Sequence, residues 1–332
     1  MFKVIVKEND VNKRLDNFIA KCYPNLLKVA INKFIRTKKI KVNLKRVENN
    51  YRLQLDDEIN FYMNEDALNQ KKVAIFQKYE PKLAFLNASD NLEVIYENDD
   101  LLIVNKPVGV LSHSSHYHEY NAIIDQIKKY LYKKNEYNPE NENTFAPALS
   151  NRLDRNTSGL IIASKNYKTL KRINEAIEDK EIKKYYYTYV YGKMDEKIGT
   201  LKHYLKKDEK NNIAIVYDKK EPNTKVAILK YKMIAYYPID NISMLEVELL
   251  TGRFHQIRAQ FSFINHPLLG DGKYYFPTKH NFNKQNLKNQ ILVAYKLVFD
   301  KKLSGYFFHI NDEMSFQIND IYKKLKETYK FQ

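Results

Sequence analysis

From residue 92 onward the chain is built of short apolar or alternating runs, and this feature constrains its fold most strongly. The runs are Leu92–Tyr96, Leu101–Val104, Leu160–Ser164, Tyr186–Tyr191, Val226–Met233, Met244–Leu250 and Leu292–Phe299. Runs of this length and alternation predict strands. Helical patterns interrupt them at about 121–133, 167–179 and 254–265. This mixed order predicts an α+β fold with a large, mainly antiparallel mixed sheet rather than a doubly wound parallel sheet.

Residues 1–62 have a pattern of their own. Two groups of apolar residues recur at three- and four-residue steps, one beginning at Leu15 and the other at Ala30. They predict two short amphipathic helices, and the alternating segments 40–43 and 58–61 predict strands. We therefore expect a small N-terminal α+β domain.

A chain of 332 residues exceeds the usual size of one domain. Residues 63–91 have mixed polarity and no sustained period, which predicts a linker. A second, larger domain is expected over 92–325. Long polar insertions interrupt it at 134–148, 206–224 and 277–290.

The basic residues outnumber the acidic ones by 56 to 40, which gives a formal net charge of +16. An excess of cations suits a polyanionic partner, so nucleic acid is the first expectation. Residues 1–62 hold 14 basic and 7 acidic side chains, or +7. Much of this charge lies on the second predicted helix and the turn after it, at Lys33, Arg36, Lys38, Lys39, Lys41, Lys45 and Arg46. The cluster is either an ordinary solvated face or a platform for RNA phosphates, and a basic helix leading into a basic turn favours RNA.

Several classes of protein are excluded. The chain has one cysteine, Cys22, so it cannot form an internal disulfide. Its apolar runs are too short to cross a bilayer, and its first residues lack the apolar stretch of a signal peptide. We expect a soluble, cytoplasmic protein that acts as a monomer and contacts no membrane.

Arginine is scarce and therefore informative. The chain has 47 lysines and 9 arginines, a bias that the base composition of the coding DNA could also produce. Arginine should nevertheless persist where a planar, bidentate guanidinium is needed. Four of the nine lie in two short segments, 151–155 and 251–258. Glycine is also rare, and Gly109, Gly159, Gly252 and Gly270 lie in or beside patterned segments, which predicts a positive φ or a close approach of the backbone at these positions.

Asp154 is the first candidate for chemistry. It lies in a predicted turn between Arg152 and Arg155, directly before an apolar strand. Opposite charge nearby favours the ionised carboxylate, and an ionised carboxylate is a candidate nucleophile or base. The alternative is an ordinary loop ion pair with local turn hydrogen bonds from the neighbouring hydroxyls.

The segment 251–258 opens a predicted helix directly after a strand. Arg253 and Gln256 occupy the start of that helix, where donors can face an anion, and Arg258 lies about one turn further on. Arg258 is therefore a candidate partner for Asp154.

A tyrosine-rich strand supplies candidate aromatic groups. Tyr186, Thr188 and Val190 alternate onto one face of this strand. Tyr186 is a candidate for stacking on a base, although the chain has 27 tyrosines and packing in the core is the general alternative. No cysteine and histidine group has zinc-ligand spacing, and no P-loop or dinucleotide glycine pattern occurs, so neither a metal nor a nucleotide cofactor is indicated.

Together these segments resemble the RluA-type pseudouridine synthases, including their RluC- and RluD-like members. The matching motifs are Val104–Gly109, Arg152–Gly159, Lys184–Tyr186, Thr251–Arg258 and His266–Asp271, which occur in the family's order and approximate spacing over about residues 92–300. In residues 1–62, called the front module below, segments 14–16 and 41–47 resemble the small RNA-binding domain of ribosomal protein S-four. Many family members that act on large-subunit ribosomal RNA carry this domain.

The resemblance implies an RNA pseudouridine synthase that acts on large-subunit (23S) ribosomal RNA without a cofactor. It implies that Asp154 is the essential carboxylate, that Tyr186 packs on the target base and that Arg258 pairs with Asp154. The implied RNA-binding residues are Arg152, Arg155, Arg253 and His255, together with Lys33, Arg36, Lys38, Lys39, Lys41 and Arg46 of the front module.

The sequence departs from the family pattern at four positions. Asn151 and Val293 stand where histidine is usual, Asn156 stands where aspartate is usual, and Gln260 stands where histidine often occurs. The departures leave open a non-catalytic RNA-binding or ribosome-assembly protein on the same fold, although retention of the aspartate, tyrosine and arginine assigned to chemistry favours an enzyme. A glycoside hydrolase also acts at an anomeric carbon, but it needs a second placed carboxylate, and none is patterned near Asp154.

Overall fold

The computed structural model describes residues 1–63, 68, 83–114, 121–274, 287, 289–300, 303 and 313–315. Most of the predicted linker at 63–91, most of the predicted insertion at 277–290 and the predicted domain end at 325 lie outside these residues. The domain boundaries at 62 and 92 therefore stay a prediction.

The elements of the described chain follow the predicted order. The helices are α1 (Leu15–Cys22), α2 (Lys28–Arg36), α3 (Ile123–Lys133), α4 (Tyr167–Glu178) and α5 (Gln256–Phe263). The strands are β1 (Phe2–Ile5), β2 (Ile40–Val42), β3 (Glu58–Phe61), β4 (Glu93–Glu97), β5 (Leu101–Lys106), β6 (Ala148–Leu149), β7 (Ser158–Ser164), β8 (Ile182–Tyr191), β9 (Ile198–Asp208), β10 (Ile213–Tyr217), β11 (Lys225–Tyr237), β12 (Ile242–Leu249), β13 (Leu292–Phe299) and β14 (Glu313–Ser315). The predicted helices and strands are confirmed with small shifts at their ends, whereas β1, β6, β9, β10 and β14 were not predicted.

The chain divides into two compact units. The first comprises Met1–Leu92, His113–Leu149 and Ala163–Lys171, and the second comprises Glu93–Ser112, Ser150–Ile162 and Arg172–Gln332. No helix within the described ranges is long and apolar enough to cross a membrane.

The N-terminal residues of the first unit form a small sheet with two helices. Its three strands have the order β1-β3-β2, and both pairs are antiparallel. Phe18 of α1, Ile31 of α2, and Ile59 and Phe61 of β3 belong to one buried apolar cluster. The apolar steps of the two helices therefore face this sheet, as the periodicity requires.

A buried polar cluster ties these N-terminal residues to a later part of the same unit. The Asp10 carboxylate is fully buried and accepts hydrogen bonds from Asn143 Nδ2 at 2.8 Å and from the Thr144 hydroxyl. Lys13 Nζ lies 3.1 Å from the same carboxylate and donates to Thr144 Oγ1 at 2.6 Å. A buried carboxylate needs such partners, so removal of residues 1–62 would leave Asn143 and Thr144 unsatisfied.

The second unit is dominated by one large sheet. Its main path has the order β10-β9-β11-β12-β8-β13-β7-β5-β4, with β14 paired to β13. Within the first unit, β6 pairs with Ala163 and Ser164 at the end of β7. The pairs from β10 to β13 and the pair β4–β5 are antiparallel, whereas β13 and β7 run parallel. The predicted mixed and mainly antiparallel sheet is confirmed.

One predicted insertion is wrong. Residues 206–224 contain the end of β9 and all of β10, which pair as an antiparallel hairpin. Leu205 and Ala214 pack against Ala259 of α5 and against Tyr274. The hairpin was missed because β10 has only five residues, all apolar or aromatic, so it shows no alternation, and it lies between the polar and charged segments 206–211 and 218–221.

The parallel contact between β7 and β13 depends on a glycine. Gly159 has φ +118°, and a Cβ built there would lie 2.1 Å from the backbone oxygen of Ala294. Neither the backbone angle nor the space admits a side chain. Gly159 therefore lets β13 approach the strand that directly follows the Asp154 turn.

Gly159→Ala should lower the free energy of unfolding by about 2 kcal/mol or more, because β7 and β13 must separate to make room for the methyl group. Thermal or denaturant unfolding measures the change. Gly252→Ala is the control: the expectation for Gly252 was wrong, since its φ is not positive and a Cβ there meets nothing within 4 Å. Equal stability of the two variants would contradict the assigned role of Gly159.

Candidate active site

A cleft in the second unit brings together six of the residues that the sequence analysis selected. Its lining includes Arg152, Asp154, Tyr186, Arg253, His255 and Arg258. Arg155 does not line the cleft, and its side chain is exposed. The cleft is therefore formed by the loop before β7, the middle of β8 and the start of α5.

Arg258 divides its guanidinium between two carboxylates. Its Nε and Nη2 atoms donate to Asp271 Oδ2 and Oδ1 at 2.7 Å and 2.8 Å, and Nη1 donates to Asp154 Oδ2 at 3.3 Å. The Asp271 side chain is fully buried, whereas 26% of the Asp154 side chain is exposed. A planar fork can make these three contacts at once, and an ammonium group cannot.

The charge of Arg258 is stabilised by this arrangement. Burial alone would lower the pKa of Arg258, but the hydrogen bond and charge of Asp271, and then Asp154, raise it above its ordinary value. Backbone amides of Lys273 and Tyr274 also donate to Asp271 Oδ1, at 3.0 Å and 3.3 Å. Asp271 thus anchors Arg258 to a turn, and the remaining edge of the guanidinium reaches Asp154.

The predicted pairing of Arg258 with Asp154 is present in the structure. Arg152 and Arg155 flank Asp154 in sequence, but both are exposed and neither forms its ion pair. The sequence had predicted that these two neighbours supply the opposite charge beside Asp154. Within the described residues, its arginine ion pair is with Arg258, whose position depends on tertiary packing.

The backbone around Asp154 is fixed by hydrogen bonds on both sides. The Ser112 hydroxyl donates to Leu153 O at 2.7 Å and accepts from Leu153 N at 3.0 Å. Thr157 N donates to Asp154 O at 3.0 Å and closes the turn. Ser112 is buried, and its hydroxyl both donates and accepts a hydrogen bond, so the backbone next to Asp154 is held rigidly.

Lys106 is a buried cation that sequence reasoning left without a role. Its Nζ donates to the carbonyl oxygens of Pro107, Val110 and Arg155 at 2.9 Å, 2.7 Å and 3.1 Å. Burial lowers the pKa of Lys106 to about 8, against the opposing effect of Asp154. The ammonium therefore joins the loop after β5 to the Asp154 turn. The sequence signal that could have identified Lys106 is its position at the end of an apolar strand, directly before a proline.

Tyr186 lies on the cleft face of β8 and is 5% exposed. Burial, and secondly Asp154, raise the pKa of Tyr186 above its ordinary value, so the hydroxyl stays protonated. The side chain therefore contributes an uncharged aromatic surface to the cleft.

His255 begins α5 in an unusual backbone conformation. Its φ and ψ are +51° and +27°, in the left-handed region that costs a non-glycine residue about 1–2 kcal/mol. Its Nε2 atom lies 3.7 Å from Asp154 Oδ2, and its Nδ1 atom lies 2.9 Å from the Tyr274 hydroxyl. Burial lowers the pKa of His255 to about 4, although Asp154 opposes this, so the ring is neutral at pH 7.

The loop before α5 is held by a second network. Arg253 Nε donates to Val226 O at 2.9 Å, and Arg253 N donates to Gln256 Oε1 at 3.0 Å. Gln256 also accepts from the Thr251 hydroxyl at 2.8 Å and donates to Ile228 O at 3.1 Å. These bonds tie the start of α5 to β11 and fix the direction in which Arg258 projects.

Two of the departures from the family pattern have structural roles. Asn151 donates to Leu160 O at 3.1 Å and accepts from Ile162 N at 2.8 Å, so its amide pairs with the backbone of β7. The buried Gln260 donates to His203 Nδ1 at 3.0 Å and to Ala227 O at 3.2 Å. Both side chains brace the elements that carry the cleft. Nothing in the structure explains the residues at 156 and 293.

The basic cluster of the front module forms a separate groove in the first unit. Lys33 and Arg36 of α2 and Arg46 of the following loop line a groove of about 470 Å³. Lys38 and Lys39 are exposed just beyond α2, and the Lys41 ammonium lies 4.8 Å from the ring centre of Tyr62.

Asp271, Tyr274 and Lys106 are the site residues that sequence reasoning did not assign. Asp271 and Lys106 stand inside motifs that carry the family resemblance, but their partners lie on other segments of the chain. Among the described residues, no group of three acidic, cysteine or histidine side chains could hold a metal ion.

Comparisons with known proteins identify the family of this chain. A family model described as RNA pseudouridylate synthase matches residues 100–263. An uncharacterized RNA pseudouridine synthase of Mycoplasma capricolum is 32% identical, and the match covers 95% of this chain and 96% of that protein. The chain belongs to the RNA pseudouridine synthase family. The enzyme is thus an isomerase that acts on RNA, as the sequence predicted.

Other relatives of this pseudouridine synthase extend the comparison. A ribosomal large subunit pseudouridine synthase C of Rickettsia typhi is 31% identical, over 89% of this chain and 95% of that protein. A solved human protein, RNA pseudouridylate synthase domain containing 1, is 20% identical with a TM-score of 0.50, over 63% of this chain and 79% of that chain. This structure shows that the two proteins share a fold.

Arg258→Lys should slow pseudouridine formation by about 100-fold, because a point charge cannot hold Asp271 and Asp154 together and the carboxylate is misplaced. Single-turnover rates on a ribosomal RNA fragment measure the effect. Lys38→Arg or Lys39→Arg should be nearly silent, since either exposed lysine can be replaced without loss of a fork contact. A near wild-type rate for Arg258→Lys would refute the importance of the fork.

Proposed function

We propose that the enzyme isomerises uridines of large-subunit (23S) ribosomal RNA and that Asp154 is its catalytic carboxylate. The observation that carries the role of Asp154 is the asymmetry of its two oxygens. Arg258 Nη1 and His255 Nε2 both approach Oδ2, at 3.3 Å and 3.7 Å, whereas Oδ1 has no hydrogen-bond partner among the described residues. Oδ1 is therefore available to react while Oδ2 is held. The names of the rickettsial relatives support the choice of RNA.

The reaction needs the groups that line the cleft and no external reactant. In the isomerisation the C1′–N1 bond breaks, a C1′–C5 bond forms, and the proton on C5 is lost while N1 gains one. Asp154 either attacks the ribose or removes a proton from it. Tyr186 supplies the aromatic surface on which the detached uracil is held while it turns. The proposed reaction therefore proceeds without a cofactor. We further propose that the chain acts as a monomer.

The other cleft residues are proposed to grip the RNA around the target uridine. Arg152 and Arg155 are exposed beside Asp154, so their guanidinium groups are accessible to phosphates. Arg253 has one guanidinium atom, Nε, bonded to Val226 O, which orients the rest of the group. Extrusion of the uridine from a duplex or loop would bring the flanking phosphates to these side chains.

Asp154→Asn should abolish pseudouridine formation and leave RNA affinity nearly unchanged, because the amide keeps the volume of the side chain but lacks the negatively charged oxygen that reacts. The measurement is product formation under single-turnover conditions beside a binding titration. Asp195→Asn, which changes an exposed carboxylate, is the matched control. Substantial turnover by the Asp154 variant would remove this residue from the mechanism.

We also propose that residues 1–62 are an RNA-binding module like that of ribosomal protein S-four. The support is the basic groove of Lys33, Arg36 and Arg46, continued by Lys38, Lys39 and Lys41. Glu48 is the acidic residue in that groove, so the groove keeps a net positive charge. A groove of this kind provides affinity and site choice through phosphate contacts.

Replacement of Lys33, Arg36 and Arg46 together by glutamine should weaken ribosomal RNA binding and reduce the slope of log K against log salt. Each lost phosphate contact changes that slope by about 0.7 to 0.9, so a change of about two to three is expected. A charge variant is preferable to deletion, because Asp10 and Lys13 bind Asn143 and Thr144.

The control is a variant in which Lys180, Lys183 and Lys197 are replaced together by glutamine. These three exposed lysines lie in the second unit, and their replacement gives the same change in net charge. Equal slopes for the two triple variants would show that the groove is only a solvated face.

A further inference from the structure

Tyr274 contacts both groups that approach Asp154. Its hydroxyl lies 2.9 Å from His255 Nδ1, and its ring lies edge-on to the His255 ring at a centroid distance of 5.6 Å. The Arg258 guanidinium carbon lies 5.1 Å from the centre of the Tyr274 ring. Tyr274 is 5% exposed and neither lines the cleft nor reaches Asp154 directly. It can therefore act on the carboxylate only through its neighbours.

The direction of the hydrogen bond to His255 follows from the partners of the Tyr274 hydroxyl. Ala214 N of β10 donates to the Tyr274 hydroxyl oxygen at 2.6 Å. Burial raises the pKa of Tyr274 to about 12, so the hydroxyl keeps its proton. The hydroxyl oxygen accepts from Ala214, and among the described residues His255 Nδ1 is the only acceptor within hydrogen-bond distance of the hydroxyl proton, so we infer that the hydroxyl donates to Nδ1. A neutral imidazole that accepts at Nδ1 carries its own proton on Nε2.

The backbone of Tyr274 is also held in place. Its N–H donates to Asp271 Oδ1 at 3.3 Å, and its carbonyl accepts from the Ser262 hydroxyl of α5 at 2.5 Å. The same Asp271 carboxylate holds Arg258. The turn that carries Tyr274 therefore positions both groups that face Oδ2 of Asp154.

We propose that Tyr274 is a positioning residue, which fixes His255 as the neutral tautomer with its proton on Nε2 and directs that proton at Oδ2 of Asp154. The proposal rests on the proposed catalytic role of Asp154. The Nε2 to Oδ2 distance of 3.7 Å is longer than a hydrogen bond. Catalytic hydrogen bonds are often long before substrate binds, so we expect this contact to tighten in the substrate complex. His255 and Arg258 then share Oδ2, and Oδ1 remains free for the ribose.

The strained backbone of His255 supports this assignment. A histidine in the left-handed region persists only where surrounding contacts determine its conformation, and such residues concentrate at functional sites. Here the Tyr274 hydroxyl and the stacked Phe254 ring, 3.8 Å from the imidazole by centroid distance, hold the side chain from two sides. The ring is therefore fixed in orientation as well as in protonation.

The test is nitrogen NMR of enzyme labelled with ¹⁵N-histidine, with the His255 signals assigned by their loss in His255→Gln. Wild-type enzyme should show the neutral Nε2–H tautomer from pH 8 to pH 5. Tyr274→Phe keeps the ring and removes the hydroxyl, so protonation of Nδ1 is no longer opposed. The loss of one hydrogen bond should raise the pKa of His255 by about one unit.

The kinetic consequence follows from the charges that face His255. These are Asp154, Arg258, Lys273 and Asp271. Protonated His255 would neutralise Asp154, so activity falls as pH drops through the His255 pKa. In Tyr274→Phe the acid limb of kcat should therefore move up by about one pH unit, with kcat about twofold lower than wild type at pH 5 and about fivefold lower at pH 4, and with KM within about twofold of wild type.

Tyr236→Phe is the matched control, because its hydroxyl bonds Asn241 Oδ1 at 2.9 Å and does not contact the cleft residues. This control should leave the tautomer and the acid limb unchanged. A wild-type His255 with its proton on Nδ1, or an unchanged His255 titration in Tyr274→Phe, would overturn the proposal. The NMR result does not require turnover, so it is separable from a failure of Asp154→Asn to abolish activity.

Discussion

The buried guanidinium of Arg258 is the interaction on which the rest of the active site depends. It joins the fully buried Asp271 to the partly exposed Asp154, so one side chain connects the interior to the cleft. A buried ion pair is stabilising only when its geometry is good and its remaining polar atoms are satisfied. Both conditions hold here, because Asp271 takes two guanidinium bonds and two backbone amides. The carboxylate proposed for chemistry is therefore held by a group that is itself immobilised.

The large sheet makes this arrangement possible by supplying rigid attachment points around Asp154. Asn151 fastens the start of the loop to β7, Ser112 fixes the backbone next to the aspartate, and Lys106 collects three carbonyl oxygens from two loops. Gly159 allows β13 to pack closely against the strand that leaves the loop. None of these residues contacts substrate in the proposed reaction. Together they reduce the freedom of the catalytic loop, which is how a site is organised before its ligand arrives.

The units of the chain carry different parts of the proposed function. The cleft and all of its supporting contacts belong to the second unit, whereas the basic groove of Lys33, Arg36 and Arg46 belongs to the first. Phosphate contacts of lysine and arginine provide affinity that falls with salt, and they add nothing to bond breaking. Variants can therefore separate RNA affinity from catalysis. The salt dependence of RNA binding measures the contribution of the groove, and the single-turnover rate measures that of the cleft.

The sequence by itself determined most strands of the large sheet, because these follow from local alternation. Its contiguous motifs indicated the family, and the family resemblance implied the pairing of Asp154 with Arg258. Tertiary structure alone decided which groups support that pair. Asp271, Lys106 and Tyr274 act through partners that are 13 to 60 residues away in sequence, and no local pattern encodes such distances. The β9–β10 hairpin was missed for a related reason, since the five apolar and aromatic residues of β10 show no alternation and their pairing with β9 exists only in the folded sheet. The protonation of His255 is set by burial and by Tyr274, and burial exists only in the folded chain.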